Sequence, residues 1–172
     1  MGWADLKREL GAWREAGQVA TLWWRDDDAV TDTPALRRLL ALAAAHRAPV
    51  ALAVIPARAD ARLLDALRED VSVSLLQHGF AHTDHAVPGA KKSEFPDSRP
   101  LTEMTAELAA GRSRFRVLFG AHCRDVLVPP WNRLAETMIP ALSALGIVAL
   151  SRQGARRRRD LAPGLQQVNT HL

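Results

Sequence analysis

The sequence predicts an α/β fold in which parallel strands alternate with helices. Short apolar runs that fit buried strands recur along the 172 residues, and stretches with helical periodicity separate them. No internal repeat or linker interrupts this alternation, so we expect one domain over residues 1–172. Strand–helix alternation implies right-handed crossovers between parallel strands, and such folds bind ligands beyond the carboxyl ends of their strands.

The individual elements follow from apolar runs, helix caps and helix breakers. Thr33 before Pro34 predicts a helix start, because threonine caps free N–H groups and proline fits the first turn. The predicted helices cover 3–16, 34–46, 59–69, 101–119 and 132–145. The predicted strands cover 19–24, 49–55, 71–76, 125–128, 147–150 and 165–170. The apolar side of the first helix, with Trp3 and Trp13, is expected to pack against the sheet.

Composition and charge exclude several classes of protein. The formal net charge is +4, but much of the basic excess lies in 156–159, which is too local for a nucleic-acid-binding face. No run of about 18 apolar residues predicts a membrane span. Charges interrupt the first ten residues and no apolar signal region is visible, so we expect a cytoplasmic protein. Cys123 is the one cysteine, which rules out an internal disulfide, and nothing in the sequence indicates the oligomeric state.

Residues whose side chains could bind a metal or transfer protons cluster at the carboxyl ends of the predicted strands. The stretch 77–85, QHGFAHTDH, holds three of the six histidines and follows the third strand. It begins a long polar segment, residues 77–100, and loops of that length are usually functional or disordered. Asp26–Asp28 follows the first strand, Pro129–Trp131 the fourth, and His171 the last. Because these ends share one edge of a parallel sheet, the four groups are expected to meet there.

The clustered residues suit a catalytic metal site. His78 and His82 are four residues apart, so on a helical turn they would share a face. Two imidazoles and one carboxylate leave metal positions open, as catalytic sites require. One aspartate of the 26–28 triplet would bind the metal. Its neighbour points elsewhere in extended backbone and could take a proton from the attacking water. His171 could supply the proton that a leaving group needs, and His85 is expected to lie in the loop or to support the ligands.

The motifs resemble those of the NodB-homology polysaccharide deacetylases of carbohydrate esterase family four. That family has Asp-Asp after its first strand, His-Ser/Thr-x-x-His, Arg-x-Pro-Tyr/Trp and a late Leu-x-His. This chain has, in the same order and over nearly its whole length, WRDDD at 24–28, HGFAH at 78–82, VPPW at 128–131 and NTH at 169–171. The resemblance implies a distorted (β/α) barrel with about seven parallel strands.

The resemblance also implies an activity and a set of roles. The reaction would be removal of an N- or O-linked acetyl group from an acetylated sugar or glycan by metal-activated water. By the match of motifs, Asp26 is the general base, Asp27 the metal carboxylate, and His78 and His82 the metal imidazoles. His171 is the general acid. The expected metal is Zn²⁺, and Co²⁺, Ni²⁺ and Fe²⁺ suit the same ligands.

The third motif implies the substrate-binding residues. Trp131, after Pro130, matches the aromatic wall of the acetyl pocket. The family's arginine is replaced by Val128, so Arg25 or Arg133 is expected to take over its contact with the base.

Two registers of the aspartate motif remain open. Asp28 stands where the family has glycine. The base and the metal carboxylate are therefore either Asp26 and Asp27, or Asp27 and Asp28.

Other departures leave a second function open. Gly79 replaces the Ser/Thr of the histidine motif, and 151–165 holds no Asp-x-x-Asp-Trp motif of the kind that supports the late histidine. The chain ends one residue after His171, so a final helix of the family is absent from the sequence or the domain is truncated. The alternative is a non-catalytic carbohydrate-binding or regulatory relative on the same fold.

Overall fold

A seven-stranded sheet forms the centre of the protein. The computed structural model describes residues 2–67, 72–156 and 158–170. The strands are β1 (Trp24–Ala29), β2 (Val50–Val54), β3 (Val73–His78), β4 (Cys123–Val128), β5 (Ala149–Leu150), β6 (Asp160–Ala162) and β7 (Leu165–Gln167). The helices are α1 (Trp3–Glu15), α2 (Pro34–Ala45), α3 (Leu63–Ala66), α4 (Leu101–Phe119) and α5 (Ile139–Ala144). Three 3₁₀ turns lie at Gly120–His122, Pro130–Asn132 and Glu136–Met138.

The sheet is mostly parallel and open. Its strand order is β1-β2-β3-β4-β5-β7-β6, and every neighbouring pair is parallel except β6 with β7. The predicted α/β class with parallel strands is confirmed. The predicted barrel is not, because no pairing among the described residues joins β1 to β6.

The two faces of the sheet have different partners. Alternate residues of a strand point to opposite faces. In β2, Val50, Leu52 and Val54 share one buried cluster with residues of α2, α3 and α4, whereas Ala51 and Ala53 belong to a separate cluster with residues of β3 and β4. One face is therefore covered by helices, and the other carries small side chains.

The first strand begins where the sequence predicts that it ends. The predicted strand 19–24 is wrong, because β1 starts at Trp24, opposite the first residue of β2, and Val19 and Leu22 are 87% and 76% exposed. The aspartate triplet therefore lies inside β1. Asp28 interrupts the strand with a φ of 69°, and the pairing with β2 shifts there, as in a β-bulge.

Helix bounds also differ from prediction at two places. Trp131 and Asn132 have φ values of 53° and 58°, which no α-helix contains, so the predicted helix 132–145 is replaced by a 3₁₀ turn and α5. Within 59–69, α3 covers only Leu63–Ala66, and residues 68–71 lie outside the described residues.

Helix α1 does not pack against the sheet as predicted. None of its residues is buried, and Trp3 and Trp13 are 81% and 40% exposed. Its apolar side thus contributes little to the core. Within the described ranges, no helix is both long and apolar enough to cross a membrane.

Helix α2 begins at the predicted cap. The Oγ1 of Thr33 accepts a hydrogen bond from the N–H of Leu36 at 3.1 Å, and Pro34 follows at the first helical position. We expect Thr33→Ala to lower the free energy of unfolding by about 1 kcal/mol, because one N–H loses its acceptor. Urea denaturation measures this loss. Thr33→Ser keeps the oxygen and should unfold nearly as the wild type does; equal losses in both variants would contradict the capping role.

Candidate metal centre

Three strands bring their carboxyl ends together at the candidate site. Asp28 lies near the end of β1, His78 is the last residue of β3, and Trp131 follows β4. His82 joins them from the loop after β3. These are three of the four strand-end groups that the sequence expects to meet. The fourth, His171, lies outside the described residues.

His78 is held in the form that binds a metal. Its side chain is buried, and its Nδ1 lies 2.8 Å from the carbonyl oxygen of Val128 on the neighbouring strand. A carbonyl oxygen only accepts hydrogen bonds, so Nδ1 carries the proton and Nε2 keeps its lone pair. Burial lowers the pKa of His78, which favours the neutral imidazole.

Asp28 faces both imidazoles. Its Oδ1 lies 3.2 Å from Nε2 of His78 and 3.2 Å from Nε2 of His82. The three ligand atoms all lie within 4.8 Å of one another. Two imidazole nitrogens and one carboxylate oxygen that converge in this way fit a divalent metal such as zinc. The Asp28 side chain is 63% exposed, so the site is open to water and substrate.

The bulge in β1 determines which aspartates face the histidines. Asp26 pairs with Leu52, on the face that α2 covers, and Asp28 is turned by its positive φ towards the two imidazoles. Of the two registers that the sequence leaves open, the structure therefore brings together the second, with Asp28 rather than Asp27 beside His78 and His82.

Asp26 is not one of the three residues whose ligand atoms converge. With Asp27, Asp28 and the α2 residues Leu36 and Leu39 it lines a cavity of about 210 Å³. Burial, followed by the charges of Asp27 and Asp28, raises the pKa of its carboxyl group. Asp26, to which the match of motifs assigns the base, therefore shares a cavity with Asp28 and lies outside the converging set.

Asp27 is held by Arg25. The Nε and Nη2 atoms of Arg25 donate to its two carboxylate oxygens at 2.8 and 2.9 Å. Nη1 donates to Ser151 Oγ at 2.7 Å, and Nη2 also reaches Asn132 Oδ1 at 2.9 Å. Only 4% of the Arg25 side chain is exposed, so this paired contact is strong and fixes the carboxylate.

Of the two arginines that the sequence offers for a contact with the base, Arg25 is the one that binds an aspartate of the triplet, Asp27. The Arg133 side chain instead donates to the backbone oxygen of Lys92 at 3.0 Å. Trp131 lies against His82, with its ring centroid 4.3 Å from that of the imidazole. Pro130 is buried directly behind Gly79, within 2.6 Å of where a Cβ would be.

Glu94 shapes the histidine loop, although no motif in the sequence singles it out. It is 1% exposed, and its carboxylate accepts the backbone N–H groups of Phe80, Ala81 and His82 at 3.0, 2.7 and 2.8 Å. The one sequence signal was the length of the polar segment that contains it. His85, in the same segment, has an exposed side chain, and its N–H binds the Ser93 oxygen.

Comparison with known proteins identifies the fold. No family model and no curated protein sequence matches this chain. Among solved structures, the deacetylase PplD from Streptococcus pyogenes, in complex with acetate, has a TM-score of 0.65 and 13% identity over 100% of this chain and 73% of its own. The de-N-acetylase from Aggregatibacter actinomycetemcomitans has a TM-score of 0.62 and 12% identity, covering 97% of this chain and 76% of its own.

The BpsB deacetylase domain from Bordetella bronchiseptica is a further neighbour. Its TM-score is 0.59 with 13% identity, covering 98% of this chain and 84% of its own. Identities this low establish a shared fold and leave chemistry to the residues of the site.

Gly79 is required by the Glu94 contact. Its φ is 58°, and a Cβ there would lie 2.0 Å from Glu94 Oε2. Gly89, in the same long segment, has a φ of 84° but open space around it. Both alanine variants bear the backbone strain of a positive φ, about 1 kcal/mol, and only Gly79→Ala adds a collision. Urea denaturation should show a clearly larger loss of stability for Gly79→Ala than for Gly89→Ala. Equal losses would show that the carboxylate does not constrain this position.

Proposed function

We propose that this protein is a metal-dependent hydrolase that removes an acetyl group from a carbohydrate. The observation that carries the proposal is the convergence of Asp28, His78 and His82 beside a second carboxylate, Asp27, that a buried arginine holds. The fold is shared with solved deacetylases, one of them in complex with acetate and one a de-N-acetylase. These relatives support acetyl transfer to water as the reaction class.

The metal ligands in this proposal are Asp28, His78 and His82. The fixed tautomer of His78 and the common distance of 3.2 Å from Asp28 to both rings support this set. Zinc is the proposed ion, because two nitrogens and one carboxylate oxygen suit it well. When bound, such an ion is a Lewis acid that lowers the pKa of water and polarises a carbonyl oxygen.

Asp27 is the proposed general base. Its side chain is 31% exposed beside the metal ligands, where water can reach it. Both of its oxygens accept from Arg25, so the carboxylate cannot rotate freely, and it keeps lone pairs with which to take a proton. Asp26 points to the helical layer and is not assigned a role in catalysis.

Trp131 is the proposed wall of the acetyl pocket. Its ring contacts His82, so an apolar surface lies directly beside a metal ligand. A methyl group of an acetyl substituent could pack on that surface while its carbonyl faces the ion. The general acid stays a prediction, since His171 lies outside the described residues.

One of the observations that favoured a non-catalytic carbohydrate-binding protein has another explanation. It drew on the absence of the family's arginine from the third motif, where this chain has Val128. Arg25 supplies a guanidinium to Asp27 from β1 instead. A carbohydrate-binding relative without catalysis would have no use for a base held in this way.

Asp27→Asn tests the assignment of the base. We expect it to lower the rate of acetate release from N-acetylated chito-oligosaccharides by roughly 10²–10⁴-fold, because an amide cannot accept the proton. Zinc content should stay near one equivalent per chain. Asp26→Asn is the matched control, with the same change in the neighbouring residue, and should cause a much smaller loss.

Two outcomes would contradict this account. Full activity in Asp27→Asn would remove Asp27 as the base. Zinc-loaded wild-type protein that binds acetylated oligosaccharides but releases no acetate, from either N- or O-acetylated forms, would favour the binding module over the hydrolase.

A further inference from the structure

A second cavity, of about 350 Å³, lies at the turn after β4, where Asn132 and Arg133 line it. The segments 93–97 and 132–135 supply most of its lining, and Arg152 completes it. Phe95 and Leu134 pair in a β-bridge between these segments, and both side chains are buried. The walls are thus held in place, and we call this space the side cavity.

The side cavity adjoins the proposed base through one side chain. Asn132 lines the cavity, and its Oδ1 accepts a hydrogen bond from Arg25 at 2.9 Å. The same Arg25 nitrogen donates to Asp27 at 2.9 Å. Asn132 and Arg25 therefore link the side cavity to the proposed base.

Arg133 brings a guanidinium without an ion-pair partner among the described residues to this cavity. Its guanidinium donates one hydrogen bond, to the backbone oxygen of Lys92, and in the described part of the chain it forms no ion pair with a carboxylate. Four of its five N–H groups therefore remain for a ligand. The Lys92 ammonium lies outside the cavity lining, 6.0 Å from the ring centroid of Trp131.

The charged side chains that line the cavity are those of Arg133, Arg152 and Asp97. Glu136 is paired with Arg152 at 2.6 Å, so these two are neutral together. Asp97 also lines the cavity and is exposed. Among the described residues Asp97 forms no ion pair with Arg133, so the free N–H groups of Arg133, rather than a net charge, are what the cavity offers an anion.

We propose that the side cavity binds an anionic sugar unit next to the acetylated one, with Arg133 as its main contact. The inference rests on the proposed function and adds a substrate class to it: an acetylated glycan that carries carboxylate or phosphate groups. The planar guanidinium fork matches both groups with paired hydrogen bonds. Asn132 and Ser93 offer further polar atoms at the cavity surface.

Binding of three tetrasaccharides to zinc-loaded protein tests the inference by calorimetry. The neutral probe is N-acetylchitotetraose, the carboxylate probe is a hyaluronan tetrasaccharide, and the phosphate probe is N-acetylchitotetraose with one 6-phosphate. We expect wild-type protein to prefer one or both anionic probes. Arg133→Gln should reduce that preference about tenfold, the usual effect of losing a charge-assisted contact. Arg133→Lys keeps the charge but loses the planar guanidinium. Its preference for the anionic probes should lie between those of the wild type and Arg133→Gln.

Arg124→Gln is the matched control. Arg124 is exposed at the start of β4, at the opposite edge of the sheet, and the change in net charge is the same. It should leave the preference unchanged. An equal effect of both variants would indicate general charge attraction and overturn the side cavity as the site, as would wild-type protein that binds all three probes equally.

The same probes separate this inference from the proposed function. Acetate release without any preference for anionic probes would sustain the hydrolase and overturn the anionic subsite. An Arg133-dependent preference in binding without acetate release would sustain the subsite and count against the hydrolase. The two anionic probes distinguish carboxylate from phosphate.

Discussion

The buried guanidinium of Arg25 is the contact on which the carboxyl edge of the sheet depends. It joins Asp27 on its own strand, Ser151 after β5 and Asn132 in the turn after β4. A buried cation is costly unless it is paired and fully hydrogen-bonded, so these partners are required as a set. Removing any one of them would leave a buried donor unsatisfied, which ties the geometry of the site to the stability of the fold.

A buried anion plays the complementary part on the histidine side. Glu94 gathers three backbone N–H groups from the loop that carries His82, and Gly79 leaves the room for it. The two charges lie behind the proposed base and a proposed metal ligand, respectively. Buried groups behind the site thus hold the residues of the site in place.

The sequence predicted the class of fold and the meeting of the strand ends, because apolar periodicity and parallel topology are regular. It could not choose between the registers of the aspartate motif. That choice depends on the positive φ of Asp28. Aspartate tolerates this conformation, but its presence in a sequence does not predict it. Glu94 was missed for a similar reason: its partners are backbone N–H groups, which carry no pattern in the sequence. The prediction of a strand over 19–24 was wrong because the residues before Trp24 have no pairing partner in β2.

The central claim is that Asp28, rather than Asp27, completes a metal site with the two histidines. Zinc titration calorimetry of Asp28→Asn and Asp27→Asn tests it directly, since the two variants carry the same change one residue apart. Loss of a supporting contact typically weakens metal binding by ~10–100-fold. We predict that Asp28→Asn exceeds that range while Asp27→Asn stays within about tenfold of the wild type. The reverse order would show that Asp27 is the ligand and would contradict the account.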